Sequence, residues 1–391
     1  MEDLKQYFSD TKHFIKPALI TGAIGLAASA AGLMMNSAEF FFSYLTAYTF
    51  WISLTLGGLF FVMLHHISGA VWSTVLRRLM ESLMQTVPIM AILFVPIAFG
   101  MHDLYHWSHA DVVAGDALLQ KKEAYLNIPF FLIRTLLYFA IWFFLAHFLY
   151  KTSVQQDKEF RVEQIKRLRT LSAPGIVLFA LSITFASFDW LMSLDPHWYS
   201  TIFGVYIFAG SFLSATAFLV IVAQSLRKRG YLKTTITTEH FHDLGKFLFA
   251  FTIFWGYMAF SQYFLIWYAN IPEETIWYMH RWEGSWKVIT LLLVVGHFLI
   301  PFMGLMTRAS KRNLTYMKFM SFWILLMHYI DLYWIIMPIR YEHGIHPSWM
   351  DLATMIGVGG VFIWYLWSKF WGQAMVPVND PSLDESIRLV N

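Results

Sequence analysis

Ten apolar stretches, each long enough to cross a bilayer as a helix, run the length of this 391-residue chain. A spanning helix needs about 20 consecutive apolar residues. The stretches lie near 17–36, 46–66, 83–101, 129–150, 174–194, 199–224, 244–269, 285–307, 315–337 and 351–372. In hydrocarbon every backbone N–H and C=O must be satisfied internally, so continuous apolar runs of this length become helices. The expectation is an all-α integral membrane protein with ten transmembrane helices. Only 14% of residues are charged, against about 25% in soluble domains. Pro17, Pro129 and Pro174 fall at expected helix starts, where a missing N–H costs nothing. Pro88 and Pro96 fall inside the third helix and should bend it. The polar N-terminus lacks the pattern of a removable signal peptide, so the first apolar segment should remain as a helix.

Lysine and arginine in the loops set orientation. Nineteen lie on the side of the N-terminus, against four on the other side: Lys121, Lys122, Arg281 and Arg340. Both termini are therefore expected in the cytoplasm, with 373–391 as a short cytoplasmic tail. The basic stretch Thr152 to Leu171 reads either as an amphipathic helix on the inner leaflet or as a solvated connector. The basic residues flank lipid-spanning helices, which argues against nucleic-acid binding. There is no cysteine, which excludes disulfides, iron–sulfur ligation and thiol catalysis by this chain.

Four charges sit inside the apolar stretches: Arg134, Asp189, Lys287 and Asp331. Ionisable groups at membrane depth are costly unless paired or hydrated, and they usually mark function. Helix four enters from outside with Arg134 and helix five returns with Asp189. Helix eight enters with Lys287 and helix nine returns with Asp331. Arg134 and Asp189 each lie roughly 8 Å inside the outer boundary at 1.5 Å per residue, and the lysine stem would snorkel to span the small difference in depth between Lys287 and Asp331. The offset of four spans suggests a parallel repeat of two four-helix bundles, 46–194 and 199–337, flanked by the first and last spans. Each pair could be a structural ion pair pinning two helices. A proton relay or a polar quinone site is the favoured reading.

His147 and His297 lie 13 and 10 residues beyond the two cations. His297 and His328 sit near the middle of neighbouring helices. Hydrogen-bonded intramembrane histidines are the preferred reading over haem ligands. His102, His106 and His109 with Asp103 read as boundary residues rather than a metal site. His65 and His66, followed by Ser68, Arg77, Arg78 and Glu81, read as a polar helix end or an inner proton entry. In the first span, Gly25 with Ser29 and Ala28 with Gly32 are four apart, a close-packing face that could meet another subunit.

Three stretches carry a family resemblance. The first is His65-His66-Ile67-Ser68-Gly69-Ala70-Val71-Trp72, running on to Arg77-Arg78. The second begins Phe188-Asp189-Trp190-Leu191-Met192-Ser193-Leu194-Asp195-Pro196 and continues to Gly204. The third begins Ser261-Gln262-Tyr263-Phe264-Leu265-Ile266-Trp267-Tyr268 and continues to Thr275. With ten spans, the chain resembles the ActF subunits of bacterial alternative complex III, within the polysulfide reductase NrfD-like membrane proteins. These subunits are often labelled quinone-binding by homology. The resemblance implies a multi-pass subunit of a quinol:cytochrome c or related oxidoreductase in the bacterial inner membrane. It implies as partners the related ActC subunit, an iron–sulfur protein, c-type cytochromes, small membrane subunits, a terminal cytochrome oxidase and phospholipids. Electrons would pass through other subunits, so this one would carry no covalent cofactor and no haem, would not be catalytic alone, and would at most bind quinone or menaquinone.

The expected site follows. Asp189, with Arg134, would accept a proton from quinol by general-base logic, beside an apolar pocket of Phe188, Trp190 and Tyr206. Lys287, Asp331, His297, His328 and His147 would form a proton path. A scaffold subunit without chemistry and an autonomous ion or solute transporter are the rival readings.

Overall fold

The computed structural model describes residues 7–390. Ten helices in it are long and apolar enough to cross a membrane. They are α1 Lys12–Met35, α2 Ser37–Ser68, α3 Thr74–Phe99, α4 Ile128–Lys158, α5 Val162–Leu194, α6 Phe203–Lys228, α7 Thr238–Ala269, α8 Trp286–Gly304, α9 Leu314–Ile339 and α10 Trp349–Phe370. The chain is thus a multi-pass helical membrane protein.

Local chemistry sets the helix ends. Asn36 separates α1 from α2, and its side chain accepts the backbone N–H of Glu39 at 3.2 Å. Gly69 closes α2 with φ +61°, the left-handed conformation that glycine adopts without strain. Asn127 caps α4 by accepting Phe130 N–H at 3.0 Å, with Pro129 in the first turn. Pro88 and Pro96 break α3 into Thr74–Met84, Val87–Leu93 and Val95–Phe99, as their missing N–H groups require.

Two sequence expectations change here. Pro174 lies inside a helix, because Val162–Trp190 begins twelve residues before it. The basic stretch 152–171 is neither a separate surface helix nor a connector. It is the end of α4 and the start of α5, which meet at Glu159–Arg161. Gln164 turns back to accept the backbone N–H of Arg161 at 3.0 Å, which starts α5 at once.

α2 and α6 form the centre, with 83% of the most apolar window of each buried, against 22% for α8. They approach closely at Gly57, where a Cβ would lie 2.4 Å from that of Ala215. α4 packs on α5, and both contact α2. α7 and α9 pack on α6, and α8 lies against α9. The small-residue face of α1 meets α10 of the same chain: Gly22 and Gly25 lie against Gly360 and Gly357. That face is therefore occupied within the chain rather than left for another subunit. After α10 the chain pairs Trp371 and Ala374 with Phe8 and Tyr7, then ends in a short helix, Leu383–Ile387, with Met375, Val376 and Leu383 buried.

Candidate functional site

Two buried polar nodes occupy the two halves of the helix assembly. The first joins α4 to α5. Asp189 is fully buried and accepts Arg134 Nε–H at 2.8 Å and Nη2–H at 2.9 Å, a two-pronged pair. The Tyr138 hydroxyl donates to the same carboxylate at 2.7 Å. Arg134 also donates to the Tyr125 carbonyl at 2.9 Å and lies 3.8 Å from the Tyr125 ring centroid. Charge is balanced, and each carboxylate oxygen already has a partner.

The expected pocket does not form around this node. Trp190 is a core side chain, ringed by Tyr48, Phe94, Phe139 and Trp142, and its indole N–H donates to Thr135 at 3.1 Å. Phe188 is half-buried, its ring 6.0 Å from Phe185. Tyr206 stands in the other half, on α6, and does not border Asp189. Alternate helix faces explain the separation: neighbours in sequence such as Phe188, Asp189 and Trp190 point about 100° apart.

The second node joins α6, α7, α8 and α9 and reaches α2. The Tyr206 hydroxyl and the Trp255 indole N–H both donate to Asp331, the latter at 3.1 Å. Among the described residues no cation lies within ion-pair distance of this carboxylate. The Trp255 ring stacks on His297, centroids 3.9 Å apart. Among the described residues neither ring nitrogen of His297 has a hydrogen-bond partner, although the residue is fully buried. His297 sits in a π-helical turn, Leu293–Leu299, a local over-widening of the helix that is frequent at functional sites. The Trp323 indole N–H donates to the Gly296 carbonyl in that turn at 2.7 Å. His328 completes the node, with Nε2 2.9 Å from Ser53 Oγ of α2. The Ser53 hydroxyl hydrogen points to the Phe50 carbonyl at 2.7 Å, so Nε2 is assigned as the donor and Nδ1 as a bare acceptor. Nδ1 has no partner among the described residues and lies over Gly210, where a Cβ would sit 3.2 Å from it.

Two expected members lie outside these nodes. Lys287 is exposed in the first turn of α8, its ammonium 5.2 Å from the Trp282 ring, and does not pair with Asp331. A lysine near a helix end reaches outward to the boundary at lower cost than inward to a buried partner. His147 is exposed on α4 and stacks on Phe143 at 5.6 Å. Thirteen residues from Arg134, it falls on the opposite side of the helix.

Arg281 is a buried cation of the second half, one that charge counting had placed in a loop. It is 1% exposed and donates to the carbonyls of Trp277, Trp334 and Ile335 at 2.9, 3.1 and 2.7 Å. It thereby satisfies carbonyls near the end of α9. Burial pulls its pKa down to about 9, against the nearby Asp195 charge, so it stays protonated at neutral pH. Trp255 and Ser53 were also missed, since neither residue type stands out in an apolar helix.

Comparison with protein-family models and with curated proteins finds no match to this chain. The site's own chemistry carries the functional reading.

Proposed function

We propose that this chain is a proton-handling membrane subunit of a quinol-oxidising respiratory complex of the alternative complex III type, without a redox centre of its own. One observation carries the reading: Asp331 is buried in the membrane-spanning region with two neutral donors, Tyr206 and Trp255, and no cation within reach among the described residues. A carboxyl so placed is costly to hold charged and is suited to exchanging a proton. His297 and His328 supply further nitrogen sites beside it, and Ser53 extends the chain of polar groups toward α2.

The three sequence stretches that resemble ActF support the wider assignment to a respiratory complex in a bacterial inner membrane, with ActC-like, iron–sulfur and c-type cytochrome partners. On this reading α2–α5 and α6–α9 are two four-helix bundles and both termini are cytoplasmic. Quinol chemistry is not routed through Asp189, because its oxygens are engaged by Arg134 and Tyr138. A quinol hydroxyl there would have to displace one of these bonds.

The test is Asp331→Asn in the assembled complex. Quinol turnover or the proton release coupled to it should fall at least tenfold while assembly is retained. Unchanged turnover and proton release in an intact complex would refute the assignment. A scaffold role is the second reading, and the closed Arg134–Asp189–Tyr138 node favours it for the first half of the chain.

A further inference from the structure

A third charged cluster lies at the other end of α2, α3 and α4, and the C-terminal segment completes it. Arg77 Nε is 3.0 Å from Glu81, and its Nη1 is 2.6 Å from Asp380. Arg78 Nη1 is 3.2 Å from Glu81, and its Nη2 donates to Asp157. Arg77, Arg78 and Glu81 are 2%, 0% and 0% exposed. Ser153 donates to Glu81 at 2.9 Å. The C-terminal segment is bound at several points. Val378 N–H donates to Asp157 at 3.0 Å, and Asn379 Nδ2 donates to the Asp157 carbonyl at 2.8 Å. Ser386 donates to the Trp72 carbonyl at 3.0 Å, and its own carbonyl faces His240 Nε2 at 3.0 Å.

The charge count is unequal. Among the described residues, two guanidinium groups face three carboxyl groups: Glu81, Asp157 and Asp380. His65 and His66 of α2 and Tyr150 and Ser153 of α4 also stand beside the two arginines or Glu81. His65 does not supply the missing positive charge. Its Nε2 lies 3.2 Å from Arg77 Nη1, and a guanidinium can only donate. Nε2 is therefore an acceptor, and Nδ1–H is directed at Ser73 Oγ, 2.7 Å away. His66 lies against His65, ring centroids 5.1 Å apart, and its Nε2 has no partner among the described residues. Nη2 of Arg77 and both amide atoms of the fully buried Gln156, the sequence neighbour of Asp157, likewise lack a partner among the described residues. These orphaned atoms need a small polar guest such as water.

We infer that this cluster is a hydrated proton-binding site that holds one proton among Glu81, Asp157 and Asp380, and that the C-terminal segment both creates it and seals it. Without Asp380 the two arginines balance two carboxylates and no proton is required. With Asp380 in place, binding one proton neutralises the cluster. This site is separate from Asp331 and does not depend on it.

The experiment is infrared difference spectroscopy across a pH step on the purified full-length protein, in an Asp331→Asn background. A protonated-carboxyl C=O band is expected, and Asp380→Asn should abolish it by balancing the charges. Asp157→Asn makes the same charge change from α4, keeps an Oδ1 that can accept Val378 N–H so that the segment stays docked, and should abolish it too. Absence of the band in the background protein overturns the inference. So does its persistence in both variants with melting behaviour unchanged.

Discussion

Arg134 and Asp189, 55 residues apart, are joined by two parallel hydrogen bonds of 2.8 and 2.9 Å that fasten α4 to α5. Removing one partner of such a buried pair strands a charge, at a cost of about 3–5 kcal/mol. Asp189→Asn should therefore lower the unfolding free energy of the purified protein in detergent by that order. The double replacement Arg134→Met with Asp189→Leu should recover most of the loss. Chemical-denaturant titrations read both outcomes, and a double variant as unstable as the single one would show that the pair does more than balance charge.

Arg281 and Lys287 are six residues apart yet should behave differently. Arg281→Gln breaks three donations to backbone carbonyls, each worth about 1 kcal/mol or more where the carbonyl is left buried. Lys287→Gln removes an exposed charge and should fall within about 0.5 kcal/mol of the parent. The paired melts decide which of these two cations contributes to stability.

How the sequence misread this pair is instructive. Apolar length alone identified ten helices, because a lipid-spanning segment has few alternatives. Arg134 and Asp189 were recognisable because both are charged, at matching depth, on consecutive helices. Depth says nothing about azimuth, however. Lys287 was expected to reach the depth of Asp331 along its stem, but it is exposed beside Trp282 and does not pair with that carboxylate. Trp255 carries the decisive N–H for Asp331 and is indistinguishable in sequence from any apolar aromatic. The π-helical turn that holds His297 leaves no composition signal. Asp380 lies 303 residues from Arg77, so no local pattern could join them.

The α1–α10 contact depends on missing side chains. A Cβ on Gly25 would lie 2.4 Å from Gly357 N and 2.6 Å from its Cα, both backbone atoms that cannot rotate aside. Gly25→Leu should force the two helices apart, with a loss of about 1–3 kcal/mol or more. Ala at the exposed, unhindered Gly115 should be silent. Thermal melts of the two variants make the comparison.

Outside the helices, Asp116 gives a pH-dependent contact. Its carboxylate faces His197 Nε2 at 2.5 Å and accepts the N–H groups of Leu118 and Leu119. The hydrogen bond from His197, then that from Leu119, holds its pKa below the usual 3.8. A depressed carboxylate pKa contributes stability above the unfolded value that is lost as pH falls through the folded one. Hydrogen exchange in 116–122 should therefore accelerate on acidification below about pH 4. Asp116→Asn should show fast exchange already at neutral pH and no such acid step.

The membrane orientation can be tested without background labelling, because the chain has no cysteine. The proposed orientation has both ends on one side, from the even number of spans, and assigns that side to the cytoplasm from the excess of Lys and Arg beside the termini. Cysteine placed at exposed Gly115, between α3 and α4, should react with a membrane-impermeant maleimide added to intact cells. Cysteine at exposed Gly372, just after α10, should react only after the membrane is opened. Both positions have open space for a side chain. Gly372 has φ +68°, so Gln373→Cys beside it serves as the unstrained control. Labelling of the 372 or 373 cysteine in intact cells would reverse the orientation. It would also place the Arg77–Glu81–Asp380 cluster on the opposite face, and with it the side from which that cluster takes its proton.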